Sequence, residues 1–280
     1  INASGYCLTL GVHTRIDETI AQVTGSAQVG NLYVNRNMVG AVVGVQPFGG
    51  EGLSGTGPKA GGPLYLYRLL ANRPESALAV TLARQDAKYP VDAQLKAALT
   101  QPLNALREWA ANRPELQALC TQYGELAQAG TQRLLPGPTG ERNTWTLLPR
   151  ERVLCIADDE RDALTQLAAV LAVGSQVLWP DDALHRQLVK ALPSAVSERI
   201  QLAKAENITA QPFDAVIFHG DSDQLRALCE AVAARDGAIV SVQGFARGES
   251  NILLERLYIE RSLSVNTAAA GGNASLMTIG

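Results

Sequence analysis

The segment best suited to binding chemistry is NLYVNRNMVGAVVGVQPFGGEGLSGTGPKAGGP, residues 31–63, which is denser in glycine than any later part of the chain. Glycine costs backbone entropy, so such clustering indicates places where the chain needs a positive φ or approaches a ligand closely. Backbone N–H groups in a turn of small residues can converge on an anion without obstruction by side chains. The segment therefore predicts a binding loop. The alternative is a glycine-rich surface turn in which Phe48 is an ordinary core aromatic residue.

Nucleophilic and metal-binding side chains are scattered along the chain. They are Cys7, Cys120, Cys155 and Cys229, and the three histidines His13, His185 and His219. The cysteines form no CxxC pair and no histidine lies at metal-ligand spacing, so we expect reduced, mostly buried thiols and no metal site. Cys229 is expected on an apolar helix face. No histidine has an assignable catalytic partner, and Lys59 in GTGPKAGG does not follow the P-loop order.

Composition and charge exclude several classes of protein. The 280 residues carry a net charge of −3, with acidic and basic residues mixed along the chain. A nucleic-acid surface normally shows a basic patch, and none is visible in the sequence. The sequence contains neither a signal-peptide pattern at its start nor an apolar run of about 18 residues. We therefore expect a cytoplasmic protein without a nucleic-acid partner.

Residues 1–70 predict a strand, a helix, a second strand and then the glycine-rich loop. Leu8, Leu10 and Val12 alternate with polar or small residues, which is the period of a half-buried strand. Asp17 and Glu18 favour the start of a short helix, because the helix dipole stabilises negative charge there. This first part is expected to end at residue 70.

Residues 71–150 change character and predict a helical connector with a linker. NRPESAL and NRPELQAL each place proline near a first helical position, followed by glutamate. Between these motifs, Pro102 is expected to break or restart a helix, because proline lacks the backbone N–H that a helix interior requires. The turn-rich run LPGPTGERNTW, residues 135–145, is expected to be the linker into the last part.

Residues 151–280 alternate short apolar strands with amphipathic helices. The strands are expected at VLCIA, QVLW, AVIF and AIVSV, which begin at residues 153, 176, 215 and 238. This alternation implies right-handed βαβ units and a mainly parallel sheet that is covered on both faces. The predicted fold is a doubly wound, Rossmann-like α/β domain.

The turns of this predicted domain argue against a bound dinucleotide. Such a site needs a helix N-terminus and backbone N–H groups aimed at the pyrophosphate, usually through a glycine turn. The corresponding turns are instead rich in aspartate: ADDERD, PDDA and HGDSDQ, at residues 157–162, 180–183 and 219–224. Aspartate caps a helix well but repels a diphosphate. Capped helices without a ligand are therefore favoured, and a working nucleotide-binding regulatory domain is the alternative.

Two motifs carry a resemblance to a known family. GYCLTLGVHTRIDETI (residues 5–20) and NMVGAVVGVQPFGGEGLSGTG (residues 37–57) resemble the end of an aldehyde dehydrogenase catalytic domain. The second motif is similar to the glutamate-γ-semialdehyde dehydrogenase half of the bifunctional proline utilization A family. The resemblance implies a piece of a larger protein that oxidises proline with FAD to pyrroline-5-carboxylate, and the derived semialdehyde with NAD to glutamate. It leaves open a peripheral membrane association through the proline dehydrogenase part.

The resemblance also implies roles for individual residues. The family positions that match Gly40 and Ala41 present backbone N–H groups to the substrate carboxylate, and the position of Phe48 packs against the substrate's aliphatic chain. The nucleophile, the base and the complete cofactor site are expected upstream, so the chain alone should be inactive and bind neither NAD nor FAD. Expected partners are the upstream domains of the same polypeptide, glutamate semialdehyde, and further copies of the full-length protein in a homo-oligomer.

Weaker resemblances place the last part in the same superfamily. LAAVLAVGSQVLWP (residues 167–180) is similar to a cofactor-domain run whose strand ends in a lysine that holds the adenosine ribose, and Trp179 stands in that place. NTAAAGGNASLM (residues 266–277) is similar to the segment with the catalytic glutamate, where Ala269 stands instead. The resemblance implies a truncated aldehyde dehydrogenase-like domain with a C-terminal tail. It is expected to cover a substrate channel or to mediate domain or subunit contacts.

Overall fold

The computed structural model describes residues 1–70 and 93–268, with side chains described from residue 97 onward in the second range. The predicted helix start at residues 72–78 lies outside the described residues. Two five-stranded sheets and one two-stranded pair organise the described chain. No helix in the described ranges has the length and apolar character that crossing a membrane requires.

The first part of the chain contributes four short strands and one helix. These are β1 (Tyr6–Cys7), β2 (Thr9–Val12), α1 (Asp17–Ser26), β3 (Asn31–Val34) and β4 (Glu51–Gly52). Strands β2 and β3 pair in parallel, and β1 pairs with β4 in antiparallel orientation. The predicted strand–helix–strand order is therefore present, and the glycine-rich segment follows β3.

The middle of the chain consists of two helices and a β-hairpin. Its elements are α2 (Ala93–Trp109), α3 (Pro114–Leu126), β5 (Gln132–Leu135) and β6 (Glu141–Pro149). Helix α2 continues through Pro102, so the predicted break at that residue is wrong. The prediction of a linker at residues 135–145 is also wrong, because β5 and β6 pair in antiparallel orientation around the turn that LPGPTG forms.

The last part contains the predicted parallel sheet. Its strands are β7 (Arg152–Ile156), β8 (Gln176–Pro180), β9 (Ile200–Ala203), β10 (Ala215–His219) and β11 (Ser241–Phe245). The spatial order is β11-β10-β7-β8-β9, with every neighbouring pair parallel. The order reverses between β7 and β10, which is the switch point of a doubly wound fold. The structure adds β9, which the sequence pattern did not predict.

Aspartates cap three of the four helices beside the parallel sheet, as the sequence predicts. The helices are α4 (Glu160–Val173), α5 (Ala183–Ala191), α6 (Ser194–Ser197) and α7 (Ser222–Ala233). The side chains of Asp159, Asp182 and Asp221 accept backbone N–H groups at the starts of α4, α5 and α7. Each such cap contributes about 0.5–2 kcal/mol to stability.

The last strand, β12 (Tyr258–Asn266), belongs to the other sheet. That sheet has the order β2-β3-β12-β6-β5, in which β12 runs parallel to β3 and antiparallel to β6. It therefore takes strands from each of the three parts that the sequence analysis separates. The boundaries at residues 70 and 150 stay a prediction, because backbone hydrogen bonds of this mixed sheet cross both of them.

One large apolar core connects the helices to both sheets. It includes Leu106 and Tyr123 from α2 and α3, Trp145 from β6, and the apolar residues of β7, β8 and α4. Helix α4 is buried along nearly its whole length. The mixed sheet is therefore fixed against the parallel sheet by side-chain packing.

Candidate functional site

The predicted anion-binding turn lies at the surface, directly after β3. Gly40 has a φ of +85°, in the left-handed region that favours glycine, and a Cβ added to it would meet open space. Within the described residues, the N–H groups of Gly40 and Ala41 donate no hydrogen bond. The next amide, that of Val42, donates to the side-chain oxygen Oε1 of Gln46 at 2.8 Å. Two adjacent backbone donors are thus left open to an incoming acceptor.

Apolar side chains surround this turn and are exposed. Val39 and Val43 are 74% and 82% exposed, and Met38 and Val42 also reach solvent. Phe48 is 36% exposed, although its backbone is fixed by two hydrogen bonds to Ala60. Phe48 is therefore not a core aromatic residue, and its ring is available for contact. The carboxylate-binding roles of Gly40 and Ala41, and the substrate contact of Phe48, stay predictions.

Lys59 holds the glycine-rich segment from inside. Its side chain is buried, and Nζ donates to the carbonyl oxygen of Gly30 at 2.7 Å, to Oδ1 of Asn31 at 3.0 Å and to the carbonyl oxygen of Gly49. Burial lowers the pKa of Lys59 from 10.5 to about 8, while the negative charge of Glu260 opposes that shift. The sequence pattern gave no sign of this structural role for Lys59.

Strand β12 supplies the charges that balance the segment. Glu260 is buried and accepts the backbone N–H of Lys59 at 2.8 Å and the indole N–H of Trp145 at 2.9 Å. Burial raises the pKa of Glu260, and these two hydrogen bonds oppose the rise. Its neighbour Arg261 forms a two-pronged pair with Glu51, at 2.7 and 3.0 Å. The sequence pattern could not identify these residues, because their partners lie about 200 residues away.

A cavity of about 500 Å³ lies between the glycine-rich segment and the last part of the chain. Thr56, Gly57 and Arg68 line one side of it, and Ile239 and Arg256 line the other. The cavity thus has walls from both ends of the chain.

Three of the four cysteines lie in surroundings that favour the protonated thiol. Burial raises the pKa of Cys120 to about 11, and it also raises the pKa of Cys7 and Cys155. All three side chains are buried. Cys229 is exposed on α7, so the expectation of an apolar face at that position is wrong. Among the described residues, no group of three or more His, Cys, Asp or Glu side chains could hold a metal ion.

The crevice at the switch point of the parallel sheet is occupied by the chain itself. Asp162, in the first turn of α4, accepts the backbone N–H of Gly248 at 3.0 and 3.1 Å. His219, at the end of β10, contacts the carbonyl oxygen of Glu249 through Nε2 at 2.8 Å. Arg247 pairs with Asp158 at 2.7 Å. The loop after β11 therefore lies where a dinucleotide phosphate would approach the helix N-terminus.

The end of β8 is the place where the resemblance expects a residue that holds the adenosine ribose. Trp179 is buried at the end of β8, and its ring centroid lies 4.9 Å from that of the buried His185. Two aromatic rings thus fill the place where the resemblance expects a ribose-binding lysine. That this part of the chain binds no NAD stays a prediction. Ala269, which stands where the family has its catalytic glutamate, lies outside the described residues.

Comparison with known proteins agrees with the motifs in the first part of the chain. Residues 1–71 match the model of the Aldehyde dehydrogenase family. Over all 280 residues the chain is 99% identical to the Bifunctional protein PutA of Escherichia coli (strain K12) and covers 21% of it. The resemblance to the proline utilization A family is confirmed. The Bifunctional protein PutA of Rhizobium meliloti is 44% identical over 289 residues, and the chain covers 22% of it.

The relatives are much longer than this chain, which spans about a fifth of their length. A shorter similarity, 54% over 65 residues, joins 23% of the chain to 13% of the 1-pyrroline-5-carboxylate dehydrogenase 1 of Halalkalibacterium halodurans. A solved structure of Proline Utilization A from Corynebacterium freiburgense has a TM-score of 0.57 at 19% identity and covers 94% of this chain and 23% of that one. This likeness agrees with the predicted α/β fold, which is confirmed.

Proposed function

We propose that the chain is part of a bifunctional enzyme of proline catabolism, and that its glycine-rich segment binds the carboxylate of glutamate semialdehyde. The full-length enzyme would oxidise proline with FAD and the semialdehyde with NAD. The observation that carries the proposal is the exposed turn at Gly40 and Ala41, whose two adjacent N–H groups donate to no other described residue. Hydrogen bonds to a charged group contribute about 1.5–3 kcal/mol each, enough to select a substrate with a carboxylate.

The exposed apolar residues around the turn support this assignment. A semialdehyde carries a short aliphatic chain between its carboxylate and its aldehyde, and Phe48 offers an exposed aromatic face to such a chain. In this proposal the chain binds and orients the substrate, while the nucleophile, the base and the bound NAD belong to upstream residues. The 280-residue chain alone is then inactive, and added semialdehyde with NAD produces no NADH.

The test compares two glycines of the same loop in the full-length enzyme. Gly40 and Gly44 both have positive φ, and a Cβ at either would meet nothing within 4 Å. Gly40→Ala and Gly44→Ala therefore impose a similar backbone strain, but only Gly40 supplies an anchor N–H. We expect Gly40→Ala to raise the KM for glutamate semialdehyde about tenfold, the effect of about 1.4 kcal/mol of lost binding.

Two readouts decide that experiment. Gly44→Ala should change this KM less than about threefold, and propanal, which has no carboxylate, should be oxidised equally by both variants. Equal effects of the two substitutions, or an equal loss with propanal, would contradict the anchor.

We further propose that residues 151–280 form a non-catalytic module that covers the substrate channel between the two active sites or contacts other domains or subunits. Its crevice is filled by Gly248 and Glu249, and it forms one wall of the cavity beside the glycine-rich segment. The alternative is a nucleotide-binding regulatory domain. Titration of NAD into the 280-residue chain separates the two: the module predicts no saturable heat, and a saturable dinucleotide site would favour the alternative.

The cover role is tested by a deletion in the full-length enzyme. A deletion from Ser264 onward would cut three residues from β12, whereas a deletion of residues 269–280 leaves β12 whole. With the shorter deletion, a cover role predicts a lag before NADH forms from proline, while added semialdehyde is oxidised at the normal rate. An absence of any lag would contradict the cover role and leave the contact role.

A further inference from the structure

The turn at Gly40 and Ala41, which we call the anchor turn, is tied to the buried side chain of Gln46, five residues beyond Ala41. Gln46 is 4% exposed, and its Oε1 accepts the N–H of Val42 at 2.8 Å. The backbone N–H of Gln46 donates in return to the carbonyl oxygen of Val42 at 2.8 Å. Val42 directly follows the two open amides of Gly40 and Ala41. The side chain of Gln46 therefore fixes the peptide at which the anchor turn ends.

The other end of the Gln46 side chain is held by strands from the far part of the sequence. Its Nε2 donates to Glu141 and, at 3.3 Å, to Oδ1 of Asn143, both on β6. Ser264 on β12 donates to Asn143 as well. The following residue is held too, since the carbonyl oxygen of Pro47 accepts the hydroxyl of Ser262 at 2.8 Å. The loop is thus bonded to two strands that lie about 95 and 215 residues away.

An ion pair closes this network on the near side. Arg36 lies between β3 and the anchor turn, and its Nη1 is 2.8 Å from Oε1 of Glu141 and 2.9 Å from Oγ of Ser264. Both side chains of the ion pair are about 15% exposed. Charge-assisted hydrogen bonds with low exposure are stronger and better oriented than neutral ones. We call Arg36, Gln46, Glu141, Asn143 and Ser264 the Gln46 clamp.

We propose that the Gln46 clamp positions the Gly40–Ala41 amides for the substrate carboxylate, so that β6 and β12 act as positioning elements for substrate specificity. This inference rests on the proposed function of the turn. Fixed donors bind an anion better than mobile ones, because no ordering free energy is spent on binding. In this inference the clamp residues hold the turn and do not take part in the reaction, so their loss weakens substrate binding and leaves the chemical step unchanged.

The experiment measures two aldehydes with variants of the full-length enzyme. Gln46→Leu keeps a side chain of similar volume but removes the oxygen that accepts from Val42 and the nitrogen that donates to Glu141. Glu141→Ala removes the carboxylate that accepts from Gln46. Each should raise the KM for glutamate semialdehyde about tenfold, with kcat and the KM for NAD within about twofold. Propanal should be oxidised as by the wild type. Gln22→Leu, at an exposed position of α1, is the matched control and should change nothing.

A double variant tests whether the two residues act together. Gln46→Leu with Glu141→Ala should raise the KM no further than either single change, because both remove the same link. Glu141→Gln keeps an oxygen acceptor for Gln46 and should restore the KM to within about threefold of the wild type. If Gln46→Leu does not fold, Ser264→Ala, which removes only a hydroxyl, decides by the same ratio of the two aldehydes.

Three results would overturn the inference. Equal losses of activity with semialdehyde and propanal would mean that the clamp only stabilises the fold. If the effects of the two single changes on the KM multiply in the double variant, Gln46 and Glu141 do not act together. A normal semialdehyde KM in the folded variants would show that the turn needs no clamp. The proposed anchor is judged separately by Gly40→Ala: when that variant raises the KM and the clamp variants do not, only the inference about the clamp fails.

Discussion

The two five-stranded sheets are built in opposite ways. The parallel sheet takes all its strands from residues 152–245, and each strand is connected to the next by the intervening helix or loop. Its central strands bury almost only apolar side chains. The mixed sheet joins strands from residues 9–266 and buries a series of polar groups on and beside it, among them Asn31, Lys59, Glu260 and Ser264. The parallel sheet is therefore stabilised mainly by the burial of apolar side chains. The mixed sheet is stabilised in addition by interactions between specific polar side chains.

This difference assigns stability and binding to different places. The crevice of the parallel sheet is closed by Gly248 and Glu249. The mixed sheet carries the glycine-rich segment with its open amides, and strands from distant parts of the chain hold that segment. Substitutions in the first sheet should mainly change the free energy of unfolding. Substitutions at the edge of the second should mainly change substrate binding.

The largest effect is expected in the apolar interior of the parallel sheet. Trp179 is fully buried, so Trp179→Ala should lower the free energy of unfolding by about 3–5 kcal/mol, through lost burial and the cavity left behind. Urea unfolding of the 280-residue chain, followed by far-ultraviolet circular dichroism, measures it. Trp179→Phe should lose clearly less. A change below about 1 kcal/mol for the alanine variant would mean that the sheet does not depend on apolar packing at this position.

The second effect concerns the buried charge of the mixed sheet. Lys59→Met leaves the oxygens of Gly30, Asn31 and Gly49 without their donor, and it should lower the free energy of unfolding by about 2–3 kcal/mol at neutral pH. Urea titrations of both proteins across the pH range measure the difference. An unchanged midpoint at neutral pH would contradict the structural role of this lysine.

The difference in the free energy of unfolding between the wild type and Lys59→Met should also depend on pH. The pKa of Lys59 is about 8 in the folded chain, below its usual 10.5, so the unfolded chain binds the proton more tightly. The contribution of this group to the free energy of unfolding therefore increases as the pH rises from about 8 towards 10.5. The difference between the wild type and Lys59→Met should widen by about 2 kcal/mol between about pH 8 and 10. A stability difference that becomes smaller over this pH range would contradict the lowered pKa of Lys59 in the folded chain.

The parallel sheet could be predicted from the sequence to a larger extent than the mixed sheet. The apolar strands of the parallel sheet and the aspartates that cap its helices were predictable, because strand period and capping are local properties of neighbouring residues. The pairing of β12 was not predictable, because its partners β3 and β6 lie far away in the chain and it carries Glu260 and Arg261 in its middle. Glycine density identified the loop, whereas Gln46 and Lys59 became recognisable only once their distant partners were known.

A smaller effect is expected for the pair that joins β12 to β4. Arg261 and Glu51 form two hydrogen bonds with low exposure, so a double-mutant cycle of Arg261→Met and Glu51→Gln should give a coupling of about 1–2 kcal/mol. Arg226 and Asp223 form an exposed pair within α7, and their cycle should give less than about 0.5 kcal/mol. Equal couplings in the two cycles would remove the special role of the pair on β12.

The smallest stability effect is expected at the surface of the glycine-rich segment. The backbone of Phe48 is fixed by Ala60 while its ring is exposed, so Phe48→Ala should lower the free energy of unfolding by less than about 1 kcal/mol. The same change in the full-length enzyme should raise the KM for glutamate semialdehyde several-fold, because in the proposed function the ring contacts the substrate chain. A large loss of stability with an unchanged KM would assign this residue to the core instead.

The most direct test of the anchor is a structure of the full-length enzyme with glutamate, the expected product, bound at the dehydrogenase site. The account predicts a carboxylate of glutamate with its oxygens about 2.7–3.2 Å from the backbone nitrogens of Gly40 and Ala41. It also predicts that Gln46 keeps its bond to Val42 in that complex. A carboxylate held by side chains elsewhere, with these two amides still open, would contradict the central claim.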